Sequence, residues 1–131
     1  MEHSALEGCS ILVVEDEPLI AMDVQLSFEG SGAELHLANS IDEALPWARQ
    51  DELCLGVLDY GLADGKCTEL YQYLQERGVP FIIYSGYDIP HDQRYGGVVV
   101  SKPAIGKDLR AVAEELVRSH ISAPPSMMTS G

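Results

Sequence analysis

Hydrophobic residues fall into five short blocks, separated by stretches with helical spacing. Ser10 to Val14 (SILVV) is apolar and rich in β-branched residues. Gly8 precedes it and the acids Glu15, Asp16 and Glu17 follow it, so it reads as a buried first strand. Glu34 to Ala38 (ELHLA) alternates, with Leu35 and Leu37 on one face and His36 on the other. It reads as a second strand in which His36 is an ordinary strand residue. Leu53 to Leu58 (LCLGVL) has neither charge nor polar alternation, the composition of a strand covered on both faces. Phe81 to Tyr84 and Val98 to Val100, introduced by Gly78/Pro80 and Gly96/Gly97, complete the set as fourth and fifth strands.

The intervening segments predict helices. Leu19, Met22, Leu26 and Phe28, flanked by Ile20 and Val24, fit a helix ending near Gly30 and Gly32. Pro18 sits in its first turn behind acids that favour the positive end of the helix dipole. Ser40 and Glu43 form a capping box ahead of Ala44, Leu45, Trp47 and Ala48, with Pro46 expected to kink or weaken that helix. Thr68 to Arg77 carries Leu70, Tyr71 and Leu74 at helical spacing and is stopped by Gly78. Tyr87 to Tyr95 has little periodicity and predicts a short or poorly formed helix. Leu109, Val112, Ala113, Leu116 and Val117 predict a final amphipathic helix to about His120. The end, SAPPSMMTSG, is Pro/Ser-rich, so the expected organisation is one domain over 8–120 and a disordered tail over 121–131.

Five strands alternating with about five helices on short connections define an α/β fold with a doubly wound parallel sheet. For a chain of this size the common order is 2-1-3-4-5, a flavodoxin-like three-layer sandwich whose crevice lies between the first and third strands. Such sheets place their chemistry beyond the carboxyl ends of the strands. Four of the five strands end there in a polar group: Glu15 and Asp16, Asp59, Ser85 and Lys102. Any one acid can simply start a turn. Acid, acid, hydroxyl and ammonium at successive strand ends make a site. Three carboxylates packed together raise one another's pKa, and a hard divalent cation relieves this; Mg²⁺ suits one or two carboxylates with waters and a phosphoryl oxygen. Asp59 then serves as a nucleophile forming an aspartyl phosphate, the metal and Lys102 neutralise the transferring group, and Ser85 donates a hydrogen bond to it. No GxxxxGK[ST] or GxGxxG phosphate loop occurs.

Charge narrows the partners. Eight Lys and Arg against 21 Asp and Glu give a net charge of −13, which argues against a nucleic-acid surface and favours basic partners. Cys9, Cys54 and Cys67 form no CxxC or Cys/His zinc spacing and leave one over, as expected of reduced thiols in a cytosolic protein. The start, MEHSALEG, has no basic leader region, and no apolar run approaches the roughly 18 residues needed to span a bilayer. A soluble, cytoplasmic protein without membrane contact is the expectation.

The stretches VVEDEP, LDYGLADG, YSGY and VSKP, each at a strand end and in this order, resemble a CheY-like response-regulator receiver domain of two-component signalling, over roughly residues 8 to 120. The resemblance implies a phosphoacceptor Asp59. It implies Mg²⁺ held by Glu15, Asp16 and Asp59, Asp16 more directly than Glu15, with the Gly61 carbonyl completing the set. Ser85 would be the switch hydroxyl and Lys102 the lysine pairing with the phosphoryl group, followed by a cis Lys102-Pro103 peptide. Such a chain is no enzyme in the usual sense but catalyses its own phosphorylation and dephosphorylation. Its implied partners are a histidine kinase or histidine phosphotransfer protein and a downstream protein target, with no nucleic acid. A homodimer through the face of the fourth helix, fifth strand and last helix is a further option. Val99 stands where the family commonly has an aromatic switch residue. The YSGY stretch instead resembles a stand-alone alphaproteobacterial subgroup with an aromatic-x-Thr-Gly-Tyr pattern, in which Gly86 loosens the loop and Tyr87 is either the moving aromatic or a surface tyrosine. Two other readings stay open. One is a small Mg²⁺-dependent phosphohydrolase, disfavoured because Gly61 stands where the haloacid-dehalogenase type needs a second acid. The other is a receiver cut from a longer regulator or hybrid kinase.

Overall fold

The structure is a computed structural model and describes residues 5–60, 67–86, 88–102 and 107–122. Along the chain run β1 (Ser10–Val14), α1 (Pro18–Ser27), β2 (Glu34–Ala38), α2 (Ile41–Ala48), β3 (Leu53–Asp59), α3 (Cys67–Arg77), β4 (Phe81–Ser85), a 3₁₀ turn (His91–Gln93), β5 (Val98–Ser101) and α4 (Lys107–Ser122). The strands form one sheet in the order β2-β1-β3-β4-β5, parallel at every pairing. The expected topology is therefore the observed one. The fourth of the five expected helices is only a 3₁₀ turn, consistent with Pro90 and the lack of apolar periodicity there. The last helix runs to Ser122, two residues past its expected end, and residues 123–131 lie outside the described set.

Alternation along the central strands splits the core into two layers. Leu12 and Val14 of β1, Leu58 of β3 and Ile83 of β4 face α2 and α3, packing with Ile41, Ala44, Leu70, Tyr71 and Leu74. Ile11 and Val13, Leu55 and Val57, and Ile82 and Tyr84 face α1 and α4, packing with Val24, Phe28, Leu109, Ala113 and Val117. β1, β3 and β4 are covered on both faces, which explains their unbroken apolar composition. β2 and β5 are the edges and are only partly buried.

Local sequence accounts for the helix ends. Ser40 Oγ accepts from the Glu43 N–H at 3.2 Å, while the Glu43 carboxylate turns back to the Asn39 N–H at 2.9 Å, one residue earlier than in a standard capping box. Pro46 lies inside α2, and the helix continues for only two residues beyond it. Gly78 closes α3 with a φ of +73°, the Gly78 N–H bonding to the Gln75 carbonyl and that of Val79 to the Leu74 carbonyl, a Schellman ending. α1 departs from the expected face. Ile20, Val24, Ser27 and Phe28 turn inward, whereas Leu19, Met22 and Leu26 are 73%, 54% and 61% exposed. Two apolar stripes share this helix, so periodicity alone leaves the inner one undecided.

The approach to β5 is set by close packing. A Cβ on Gly97 would come within 2.4 Å and 2.8 Å of the Phe81 ring and 3.1 Å of the Arg94 carbonyl. Phe81 is itself fixed in the core, against Tyr71 at 5.4 Å between ring centroids. Gly97→Ala is expected to destabilise the fold by about 1–3 kcal/mol through overpacking. Urea denaturation checks this, and a midpoint equal to that of the unsubstituted protein would show that the ring gives way freely.

Candidate functional site

The sheet order makes β1 and β3 neighbours, with Val14 in register with Leu58. The residues that follow, Glu15 and Asp59, therefore emerge side by side at the carboxyl edge. Glu15 is 6% and Asp59 8% exposed, whereas Asp16 is exposed. Oxygens of all three carboxylates lie within 4.8 Å of one another. Lys102 reaches this group from just beyond β5, two strands away. Its Nζ lies 3.0 Å from Glu15 Oε1 and 3.1 Å from Asp59 Oδ1, passing the Tyr84 ring at 5.7 Å from the centroid. Its own backbone N–H donates to the Ser85 carbonyl at 2.7 Å, which fixes where the side chain starts.

Main-chain donors complete the frame. The Tyr60 N–H donates to Asp59 Oδ1 at 2.8 Å and the Glu17 N–H to Glu15 Oε2 at 3.2 Å. The Glu15 N–H donates to the Ala38 carbonyl at 2.9 Å, extending the β1–β2 ladder by one bond. From α3, the Tyr71 hydroxyl donates to the Asp59 carbonyl at 2.7 Å and pins the end of β3. The Tyr60 hydroxyl in turn donates to Gln93 Oε1 in the 3₁₀ turn.

The electrostatics follow from burial and crowding. Burial pushes the Glu15 pKa up, and the charge of Asp59 adds to this; the hydrogen bond and charge of Lys102 oppose it without cancelling it. For Lys102, burial works against the ammonium, but the hydrogen bond to Glu15 and the charge and hydrogen bond of Asp59 outweigh it, so its pKa is raised. Among the described residues, one ammonium, that of Lys102, thus pairs with two members of a three-carboxylate group. The excess negative charge and the all-oxygen donor set fit a hard divalent cation such as Mg²⁺.

The structure gathers Glu15, Asp16, Asp59 and Lys102, and places Ser85, 2% exposed, at the end of β4 beside them. Gly61, Tyr87 and the Lys102-Pro103 peptide lie outside the described residues. His36 has no part in the site: it stacks on Trp47 at 4.0 Å and sits 3.3 Å from the Glu34 carboxylate. Val99 packs half-buried against the α2/α3 layer. The roles of Tyr71 and Tyr84 were not legible in the spacing, which registers them only as apolar. A tyrosine at a core position is itself a signal, because a buried hydroxyl needs a partner; Tyr84 donates to Asp23 at 3.0 Å.

No protein-family model matches the chain, and no curated protein matches it in sequence. Solved structures do match in fold, among them response-regulator receiver domains. A CheY-like receiver domain protein from Methanospirillum hungatei superposes with a TM-score of 0.76 at 24% identity, over 86% of this chain and 96% of that one. A two-component response regulator from Clostridium difficile gives 0.76 at 18% identity, over 88% and 99%. The response regulator TrrA from Thermotoga maritima, in complex with Mg²⁺ and BeF, gives 0.73 at 21% identity, over 82% and 98%. The chain has the CheY-like receiver fold.

Because the folded pKa of Glu15 is raised above its ordinary value of 4.5, the stability this group contributes is present below pH 4.5 and lost as pH rises through the folded value. A neutral isostere keeps that stability at neutral pH. Glu15→Gln is therefore expected to raise the thermal midpoint at pH 7 in metal-free buffer, by on the order of a few degrees. A lowered midpoint would mean that pairing with Lys102 outweighs the burial of the charge.

Proposed function

We propose that the chain is a receiver module of two-component signalling, spanning residues 8–120, that takes a phosphoryl group onto Asp59 and presents the altered surface to a protein partner. The observation that carries this reading is Lys102, which crosses from β5 to lie 3.0 Å from Glu15 and 3.1 Å from Asp59 at the carboxyl edge of the sheet. A purely structural lysine has no need to bridge two buried acids that already crowd a third. The fold of the receiver domains and the TrrA complex with Mg²⁺ and BeF, a phosphoryl mimic, support it.

In this reading the donor is a phosphohistidine on a histidine kinase or a phosphotransfer protein. An oxygen of the Asp59 carboxylate attacks phosphorus, and the electron pair of the breaking P–N bond returns to the donor imidazole. The Tyr60 N–H and the Tyr71 hydroxyl hold the Asp59 backbone and carboxylate in one orientation, so little motion precedes the transfer. Lys102 pairs with the incoming phosphoryl oxygens, and Ser85 supplies a hydroxyl donor at the end of β4. Glu15, Asp16 and Asp59, with the Gly61 carbonyl, would hold Mg²⁺, which when bound neutralises charge on the transferring group.

The new charge on Asp59, about −1.5 to −2, draws Lys102 and Ser85 inward and reorganises the segment after β4. Tyr60, next to Asp59, already bonds to Gln93 in that segment, which gives the site a direct tie to the surface beside β5. The small Val99 does not provide an aromatic swing, so the readout falls to the segment itself. The acidic surface favours a partner with a basic face, inside the cell and without nucleic acid.

Incubation with a phosphorylated kinase or a small acyl phosphate in Mg²⁺ is expected to add one phosphoryl group, read by intact-protein mass spectrometry. Chelation by EDTA and the substitution Asp59→Asn should each abolish it. Phosphorylation of the variant at an undiminished rate would remove Asp59 as the acceptor.

A further inference from the structure

Two thiols meet at the opposite end of the sheet from the acids. Cys9 immediately precedes β1 and Cys54 is the second residue of β3, the neighbouring strand. Ser10 is in register with Leu53 but Ile11 with Leu55, so Cys54 is the extra residue of a bulge. The bulge breaks the alternation of β3: Cys54 and Leu55 both pack in the layer facing α1 and α4, where Cys9 and Ile11 also lie. The two cysteines therefore share a face at the ends of adjacent strands. Neighbouring strands run about 4.8 Å apart, inside the roughly 4.4–6.8 Å between Cα atoms that a disulfide spans.

We propose that Cys9 and Cys54 are a peroxide-responsive thiol pair that closes reversibly to a disulfide linking the amino-terminal ends of β1 and β3. Their positions differ in the way such a pair needs. Cys54 is half-buried and lines an open cavity of about 290 Å³ with Leu53, Arg77, Val117 and His120, which admits a small oxidant. Cys9 is buried, its Sγ 3.6 Å from the Ala5 carbonyl. Burial, then the hydrogen bond and charge of the Cys54 sulfur, push the Cys9 thiol up to about 12, so it waits protonated beside its neighbour.

The chemistry balances with hydrogen peroxide as oxidant. The Cys54 thiolate attacks one peroxide oxygen, the O–O bond breaks, and hydroxide leaves with the bonding pair, giving a sulfenic acid. Burial of Cys9 persists, but this step removes the Cys54 charge that also helps to hold it protonated. The Cys9 sulfur then attacks the Cys54 sulfur, the S–O bond breaks, and the oxygen departs as water with the Cys9 proton and the proton it already carried. A thiol reductant returns both residues to the resting state.

The sequence supplies a clean readout, since trypsin sites at Arg49 and Lys66 place Cys9, Cys54 and Cys67 in three separate peptides, 1–49, 50–66 and 67–77. Full-length protein treated with mild peroxide and mapped without reduction is expected to yield peptide 1–49 joined to 50–66, separated again by reductant. The linked form should unfold several degrees higher, because the bridge closes a long loop of the unfolded chain. Cys54→Ser should leave Cys9 unoxidised, and Cys9→Ser should leave a Cys54 sulfenic acid that dimedone traps. The proposal is overturned if Cys54 proceeds to sulfinic acid while Cys9 still alkylates, if peptide 67–77 is the main partner, or if the disulfide joins two copies of the chain. The map of the unsubstituted protein decides the matter even where a variant fails to fold.

Discussion

Everything at the carboxyl edge of this sheet depends on three negative charges being held closer together than they would settle in water. The fold imposes the crowding, since β1 and β3 run side by side and both end in acids. Lys102 makes it tolerable, bridging Glu15 and Asp59 from a strand that touches neither. The Tyr60 and Glu17 N–H groups add two further donors. What remains is a pocket with unspent negative charge and a carboxylate whose orientation is already fixed. Those are the conditions that favour a hard cation.

Three tyrosines extend this arrangement into the body of the protein. Tyr71 ties the Asp59 carbonyl to α3, Tyr60 ties the next residue to the 3₁₀ turn, and Tyr84 ties β4 to Asp23 on α1. Each spends its ring on packing and its hydroxyl on one directional bond. The site is thus supported by α1 and α3 and connected to the surface beside β5, so a local change in charge at Asp59 has short covalent and hydrogen-bonded routes outward.

Most of the architecture was legible because parallel strands buried on both faces leave an unmistakable apolar block. The strands at Ser10, Glu34, Leu53, Phe81 and Val98 begin where the pattern breaks, and the acids, Ser85 and Lys102 come at the ends that the topology then aligns. What stayed hidden is of two kinds. α1 has apolar residues on more than one side, so the spacing of Leu19, Met22 and Leu26 pointed to a stripe that lies in solvent while Val24 and Phe28 carry the packing. The hydrogen bonds of Tyr71 and Tyr60 join residues 12 and 33 positions apart, and the bulge at Cys54 depends on pairing with another strand. No local pattern encodes such contacts; they exist only once the strands are in register.

That register has a consequence for how the gene can vary. Each of the polar groups gathered at this edge sits at, or within two steps past, the last residue of a strand, so its position is counted from the pairing behind it. A single codon inserted between Leu55 and Asp59 would advance the acid by about 3.3 Å and turn it to the opposite side of the sheet. Length changes are therefore ruinous inside the three central strands, whatever residues are added.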